Sequence, residues 1–104
     1  MASQDCGAYL AANLKRCRRA AGISQEEVGF RAELHRTEVG LLERGARVSR
    51  IDTLIKLATA LGVDAGELLA GIVWNPEAAE VVARRAGGFS HSESQAEREP
   101  AEQA

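Results

Sequence analysis

The chain has 104 residues, of which 45% are hydrophobic, 27% charged and only 4% aromatic, and its formal net charge is −2. This is the composition of one small globular domain rich in helix formers, which excludes a wholly disordered chain and disfavours a β-sandwich or barrel. No apolar run approaches the roughly 20 residues of a membrane-spanning helix, and the N-terminus lacks a signal-peptide pattern, so a cytoplasmic protein without membrane contact is expected. The two cysteines are too few for a disulfide framework and no Cys/His cluster has zinc spacing, so no metal or other cofactor is expected.

The charge is unevenly distributed along the chain. Residues 15–50 carry 9 Lys or Arg against 5 Asp or Glu, whereas residues 87–104 carry 1 against 4. An acidic tail therefore masks a basic body, and the net charge of the whole chain does not argue against a nucleic-acid partner.

The first helices follow from apolar spacing and capping residues. Residues 1–8 are small and polar and are expected to form a flexible arm. From Tyr9 to Ala21 the apolar side chains recur on one helical stripe, which predicts a first helix. Ser24, followed three residues later by Glu27, is typical of a capping box and predicts a second helix that ends near Ala32.

Three further short helices complete the predicted domain. The third runs from Arg36 to about Arg44 and ends at Gly45. The fourth has a buried face that starts at Ile51 and closes at Gly62, and a fifth, short helix follows. No helix of this length is stable alone, so residues 9–71 are expected to form one all-α, five-helix domain around a shared core.

Beyond Gly71 the pattern weakens. Asn75 followed by Pro76 predicts the start of a short extra helix. Residues 72–86 are therefore interpreted as a C-terminal extension that could serve in dimerisation. Residues 87–104 are rich in Gly, Ser, Glu and Gln and are predicted to be a disordered acidic tail.

The second and third helices, joined by a short turn, have the proportions of a helix-turn-helix. Four segments stand out in order: GISQEEV at 22–28, HRTEV at 35–39, LERG at 42–45, and DTL with LATALGV within 52–63. Through these segments residues 14–71 resemble the Cro/phage-repressor (XRE) family of bacterial DNA-binding regulators. The resemblance implies a compact bundle of the lambda-repressor type that binds double-stranded DNA.

The third helix is the predicted base reader. An α-helix fits the major groove of B-DNA, where Arg can donate two hydrogen bonds to guanine and a Thr or Leu can contact the thymine methyl group. Because the helix buries only Val39 and Leu42, its other side chains are expected to face outward, and Glu38 either accepts from cytosine or points away. By analogy with the family, the predicted base-reading residues are Arg36, Thr37, Glu38 and Leu41.

Contacts to the DNA backbone are predicted around this helix. Gln25 matches a family position that binds phosphate and braces the recognition helix, and His35 lies at the cap of that helix. Arginines that flank the helix are expected to contact phosphates, which sets affinity and salt dependence rather than sequence choice. The predicted backbone contacts are Gln25, His35, Arg44, Arg47 and Arg50, and an ordinary solvated surface is the alternative for each.

Arg18 and Glu43 match a family pair that joins the first helix to the third. The pair is expected to be a structural ion pair that fixes the angle of the recognition helix rather than a DNA contact. Two departures from the family lie nearby. Glu33 occupies a turn position that usually holds Gly and requires positive φ, and Gly29 replaces an Ala at a cost of about 1 kcal/mol in helix propensity.

One domain of this size reads too few base pairs for genomic selectivity, so a homodimer on a palindromic operator is expected. The predicted dimer interface comprises Leu69, Ile72, Val73 and Trp74. Trp74 could instead fold back onto its own domain, and the sequence leaves both arrangements open.

The functional expectation is a sequence-specific transcription regulator. No Gly-rich phosphate loop and no nucleophile–base arrangement is present, so no enzymatic activity is expected. The alternative is an antitoxin, or another protein-interaction adaptor on the same fold, that binds a toxin or other protein partner. A neighbouring gene for a small basic toxin would favour that alternative.

Overall fold

The computed structural model describes residues 6–76 and 88–91, and within them the chain forms five helices and two short strands. In chain order these are α1 (Cys6–Ala21), α2 (Gln25–Ala32), α3 (Arg36–Glu43), α4 (Ile51–Leu61), α5 (Ala65–Leu68), β1 (Ile72–Asn75) and β2 (Gly88–His91). The predicted five-helix domain is confirmed, and the strands are an addition that the sequence did not predict. None of the described helices has the length and apolar character needed to cross a bilayer.

All five helices contribute to one hydrophobic core. Fully burying a Leu or Val side chain stabilises the fold by about 1.5–3 kcal/mol. Helices this short depend on such burial, because they are not stable alone. The core side chains with the least exposure are Leu14, Val28, Val39, Leu42, Leu57 and Leu68. Cys17 also lies in the core, and its burial raises the pKa of the thiol despite the nearby charge of Arg16.

α1 begins at Cys6 rather than Tyr9, so residues 6–8 of the predicted flexible arm are helical. The physical reason is that the chain just after α3 lies close to the first turn of α1. The chain turns at Gly45 with φ +73°, and a Cβ there would lie 3.3 Å from the Cα of Ala8. The turn therefore packs directly on the first turn of α1, while residues 1–5 lie outside the described part of the chain.

α4 buries a face that is shifted from the predicted one, with Ala60 buried and Ile51 not. Leu54, Leu57 and Leu61 lie in the core, but Ile51 is exposed, contrary to the expectation that it starts the buried face. Ile51 shares a helical stripe with Ala58, yet as the first residue of the helix it is not covered by neighbouring elements. Ile55, one turn on, is exposed as well.

The turn between α2 and α3 confirms one expectation and corrects another. Glu33 adopts the left-handed conformation with φ 60° and ψ 43°, as predicted for a position that usually holds Gly. Gly29, by contrast, was expected only to weaken α2, but its lack of a side chain also makes room for the turn. A Cβ at Gly29 would lie 2.6 Å from the backbone oxygen of Leu34, whose own N–H donates to the Gly29 oxygen at 2.7 Å. The turn folds back so tightly on α2 that a Cβ at position 29 would force the backbone to shift.

The two strands form an antiparallel ribbon after α5. Ile72 pairs with His91 and Trp74 with Phe89, and the rings of Trp74 and Phe89 meet edge to face with centroids 5.2 Å apart. The prediction of disorder is therefore wrong for residues 88–91. It was based on local composition, which does not show that Phe89 has an aromatic partner in the distant Trp74. The residues after Pro76 that were predicted to form the short extra helix, and the rest of the predicted tail, lie outside the described residues.

Asn13 ties the ribbon and α5 to α1. Its side chain is fully buried and donates to the backbone oxygens of Leu68 at 2.9 Å and Ala70 at 3.0 Å. With both amide hydrogens used, the Asn13 oxygen is left to accept, so His91 donates to it from Nε2 at 3.0 Å. The His91 ring also stacks on Tyr9 with centroids 5.0 Å apart. A buried polar side chain satisfied in this way links elements that local sequence patterns do not connect.

Two buried helical glycines provide a matched test of this packing. At Gly40 an added Cβ would meet the Arg44 Nη1 atom at 3.3 Å, which is the end of a flexible side chain, whereas at Gly29 it would meet backbone. Ala is favoured over Gly inside a helix by about 1 kcal/mol. We expect Gly40→Ala to leave the free energy of unfolding unchanged or slightly higher, and Gly29→Ala to lower it by about 1–3 kcal/mol. Urea unfolding measures both, and a Gly29→Ala protein as stable as the wild type would contradict the tight turn.

Candidate DNA-binding surface

The outer face of α3 carries the predicted base-reading side chains. Arg36 and Thr37 are exposed, and Glu38 and Leu41 are half-buried but open to solvent. The opposite face holds Val39 and Leu42 in the core, as predicted. Gly40 and Glu43 are buried too, so the expectation that Gly40 faces outward is wrong. The outer face of α3 can hold its side chains in a fixed orientation only because the inner face of the helix is anchored in the core.

His35 begins the recognition helix. Its backbone is extended, and its Nδ1 atom accepts a hydrogen bond from the Thr37 backbone N–H at 3.0 Å. This cap satisfies one of the free amides at the start of α3. In the neutral ring the proton then lies on Nε2, where it can be donated. The predicted phosphate contact of His35 remains a prediction that this geometry permits.

Three of the arginines on this surface have acidic partners. Arg47 contacts Glu38 at 2.6 Å, Arg50 contacts Asp52 at 3.3 Å, and Arg36 lies 4.0 Å from Glu26. Sequence reasoning missed these pairs. Those of Arg47 and Arg36 depend on how the turn after α3 and the start of α2 are placed, whereas Arg50 and Asp52 are neighbours at the start of α4. Exposed ion pairs contribute about 0–1 kcal/mol each, so these pairs add little to the stability of the fold.

Gln25 and Arg44 lie together over Gly40. A Cβ at Gly40 would be 3.3 Å from Arg44 Nη1 and 3.8 Å from Gln25 Oε1. Gln25 donates from Nε2 to Glu43 Oε1 at 3.0 Å, which is the bracing role that the family resemblance implies. The structure thus brings together two of the predicted backbone-contacting residues, while His35 and Arg50 lie apart at the starts of α3 and α4.

The predicted Arg18–Glu43 pair is present and buried. Arg18 donates from Nε to Glu43 Oε2 at 2.5 Å and from Nη2 to Oε1 at 3.1 Å, so the contact is bidentate. Its Nη1 atom donates to the Ile23 oxygen at 3.0 Å, just before α2. The Glu43 side chain is only 2% exposed. One guanidinium thereby joins α1, the entry to α2 and the end of α3.

The charges of this pair stabilise each other. Burial by itself raises the pKa of Glu43, but hydrogen bonds from Arg18 and Gln25 outweigh it and hold the pKa below its ordinary value. The same hydrogen bond raises the pKa of Arg18. Both groups are therefore ionised at neutral pH, and the structural role of the pair stays a prediction.

The predicted dimer residues lie at the end of α5 and in β1. Leu69, Val73 and Trp74 are exposed large apolar side chains, and Ile72 is half-buried. Trp74 packs on Phe89 of the same chain yet remains 53% exposed. The side chain thus makes an intramolecular contact and still offers apolar surface. Within residues 6–76 and 88–91 no group of His, Cys, Asp and Glu is arranged to hold a metal ion.

This arrangement is that of a helix-turn-helix DNA-binding domain. The sequence profile of the helix-turn-helix family HTH_3 matches residues 14–68, which is more than half of the chain. The chain belongs to this family, and it is a DNA-binding transcription regulator of the XRE type.

Its relatives include proteins named as control proteins. Control protein C.BamHI of Bacillus amyloliquefaciens is 41% identical over 49 residues, which are 47% of this chain and 60% of that protein. The HTH-type regulator y4dJ of Sinorhizobium fredii is 40% identical over 65 residues, 62% of this chain and 84% of that protein. The crystal structure of the restriction-modification controller protein C.AhdI from Aeromonas hydrophila superposes with a TM-score of 0.58 at 39% identity, covering 60% of this chain and 94% of that one.

The buried pair gives a pH-dependent prediction. Because the folded-state pKa of Glu43 is depressed, its contribution is fully present above the ordinary value of 4.5 and is lost as the pH falls through the folded-state pKa. Glu43→Gln is expected to lower the free energy of unfolding at pH 7 by about 3–5 kcal/mol. The difference from the wild type should shrink below pH 4.5.

Glu27→Gln is the matched control, because Glu27 pairs with Arg31 at 2.7 Å on the exposed surface of α2. It should change the free energy of unfolding by less than about 1 kcal/mol. Thermal unfolding of the wild type and both variants across the acidic range measures the effect. Equal stability of Glu43→Gln and Glu27→Gln at pH 7 would contradict the structural role of the buried pair.

Proposed function

We propose that the protein binds a palindromic DNA operator as a homodimer, with α3 in the major groove, and thereby regulates transcription. The observation that carries the proposal is the division of α3 into two faces. One face is fixed by the core and by the bidentate Arg18–Glu43 contact, and the other presents Arg36 and Thr37 to solvent. A rigid helix with polar side chains on its free face is what readout of base edges requires. The role is one of binding, without a catalytic step or cofactor, in the cytoplasm.

Backbone contacts would set the affinity. Arg44 with Gln25, and the more distant His35 and Arg50, surround the base-reading face and can contact phosphates on either side of the groove. Such contacts release counterions, so binding should weaken steeply with salt whatever the sequence. Sequence choice is then left to the side chains of α3.

A dimer contacts a longer stretch of DNA than one recognition helix can read. Two copies of α3 placed about 34 Å apart would enter successive major grooves on one side of the duplex. The exposed apolar side chains of Leu69, Val73 and Trp74, with the half-buried Ile72, form the surface that supports the assignment of the interface.

The named relatives narrow the regulatory role. C.BamHI and C.AhdI are control proteins, the latter of a restriction-modification system. The same role, with an operator near genes of such a system, is our more specific candidate. A protein-interaction role such as an antitoxin is the second candidate, favoured by the exposed apolar ribbon, and it requires a partner protein encoded nearby.

Removal of the base-reading side chains tests the first part of the proposal. The operator is first selected from a random pool of DNA duplexes with the wild-type protein. Arg36→Gln with Thr37→Ala should then weaken binding to the operator by about 10- to 100-fold and leave binding to a scrambled duplex nearly unchanged. Fluorescence anisotropy measures both affinities.

The control variant carries Arg31→Gln and Thr59→Ala, the same two changes at exposed positions that line a depression between α2 and α4, away from α3. It should bind as the wild type does. Unchanged discrimination by the Arg36/Thr37 variant would refute base reading by α3.

The interface is tested by self-association. Trp74→Ala should shift the protein from dimer to monomer in sedimentation equilibrium at micromolar concentration, because it removes the largest exposed apolar side chain of the ribbon. Phe30→Ala is the control, since Phe30 is 79% exposed but lies beside the start of α3. An unchanged mass for Trp74→Ala would remove Trp74 from the interface.

A further inference from the structure

The contact between Arg47 and Glu38 lies on the base-reading face itself. Arg47 belongs to the turn after α3, and its Nη1 atom donates to Glu38 Oε1 at 2.6 Å, nine residues back along the chain. Glu38 is in the first half of α3, between Thr37 and the buried Val39. The Glu38 side chain is 26% exposed and that of Arg47 is 51% exposed, so both stay accessible. The pair bridges the turn and the outer face of the recognition helix.

A lone carboxylate on this face would oppose DNA binding, because it would approach the phosphates with the wrong charge. Arg47 removes the net charge of the site without removing the carboxylate. The guanidinium cannot lose its proton in a protein, so it remains a donor, and the carboxylate remains an acceptor. One donor of Arg47 uses Oε1, and a carboxylate has about four acceptor positions in all. Glu38 therefore keeps the capacity to accept from a base.

We propose that Arg47 is a positioning residue that holds the Glu38 carboxylate toward the base edges, where Glu38 accepts from the amino group of cytosine. Among the bases that an acidic side chain reads in the major groove, cytosine is the characteristic partner through its N4 amino group. This assignment rests on the proposed function. It changes the role of Arg47 from a sequence-independent phosphate contact to part of the specificity of the domain.

Arg50 provides the contrast within the same chain. It also pairs with an acidic residue, Asp52, at 3.3 Å, but that pair lies at the start of α4 and its arginine side chain is 82% exposed. Loss of an arginine that contacts phosphate weakens binding to all sequences alike and lowers the slope of affinity against salt by about 1. Loss of a positioning arginine instead relaxes the choice of base at one position. The two roles are therefore separable by measurement.

The experiment uses the full chain and the operator selected from a random duplex pool. Affinities of the wild type, Glu38→Gln, Arg47→Gln, the double variant and Arg50→Gln are measured on that operator and on duplexes in which each base pair is replaced in turn. Glu38→Gln should reduce the preference for cytosine at one position of each half-site by about 5- to 150-fold. Arg47→Gln should relax the same position, and the double variant should show no further loss of preference there. Arg47→Lys, which keeps a charged donor, should restore part of it.

Arg50→Gln should weaken binding to all the duplexes by the same factor and leave the preference intact. If Arg47→Gln behaves in this way as well, Arg47 contacts phosphate and the positioning role is wrong, while the proposed function stands. If Glu38→Gln changes no base preference, Glu38 is not a reader and the inference fails in the same manner. If the wild-type protein selects no sequence from the pool, the proposed function itself fails.

Discussion

The buried contact between Arg18 and Glu43 determines where the recognition helix lies. The Glu43 carboxylate receives two hydrogen bonds from Arg18 and one from Gln25, so α1 and the start of α2 both hold the last residue of α3. Hydrophobic contacts alone are not directional and would let a helix of eight residues rotate about its axis. The directional ionic bonds fix that rotation, and with it the side chains that α3 presents to solvent.

Local chemistry made much of this structure predictable. Ser24 accepts from the Glu27 N–H, and Gly45 and Gly62 follow the helices that they end. Each of these features depends on residues within one turn of the chain. The Arg18–Glu43 pair spans 25 positions, and it was predicted through the family resemblance rather than from any local pattern.

The features that were not predicted depend on distant contacts. In the sequence Asn13 is an ordinary polar position of α1. Only the folded structure shows that α5 and the ribbon place hydrogen-bond acceptors and a donor around it. The partner of Arg47 depends likewise on the conformation of the turn between α3 and α4. Gly29 falls between the two cases. Its cost in helix propensity was predicted from the sequence, but the close approach of the Leu34 oxygen is apparent only in the folded turn.

The bond between Asn13 and His91 joins positions that are 78 residues apart. The same Asn13 side chain also holds the backbone oxygens of Leu68 and Ala70, so one amide of α1 secures both the end of α5 and the second strand of the ribbon. None of these three hydrogen bonds involves α2 or α3. A substitution at position 13 would therefore loosen the C-terminal part of the described structure and leave the helix-turn-helix in place.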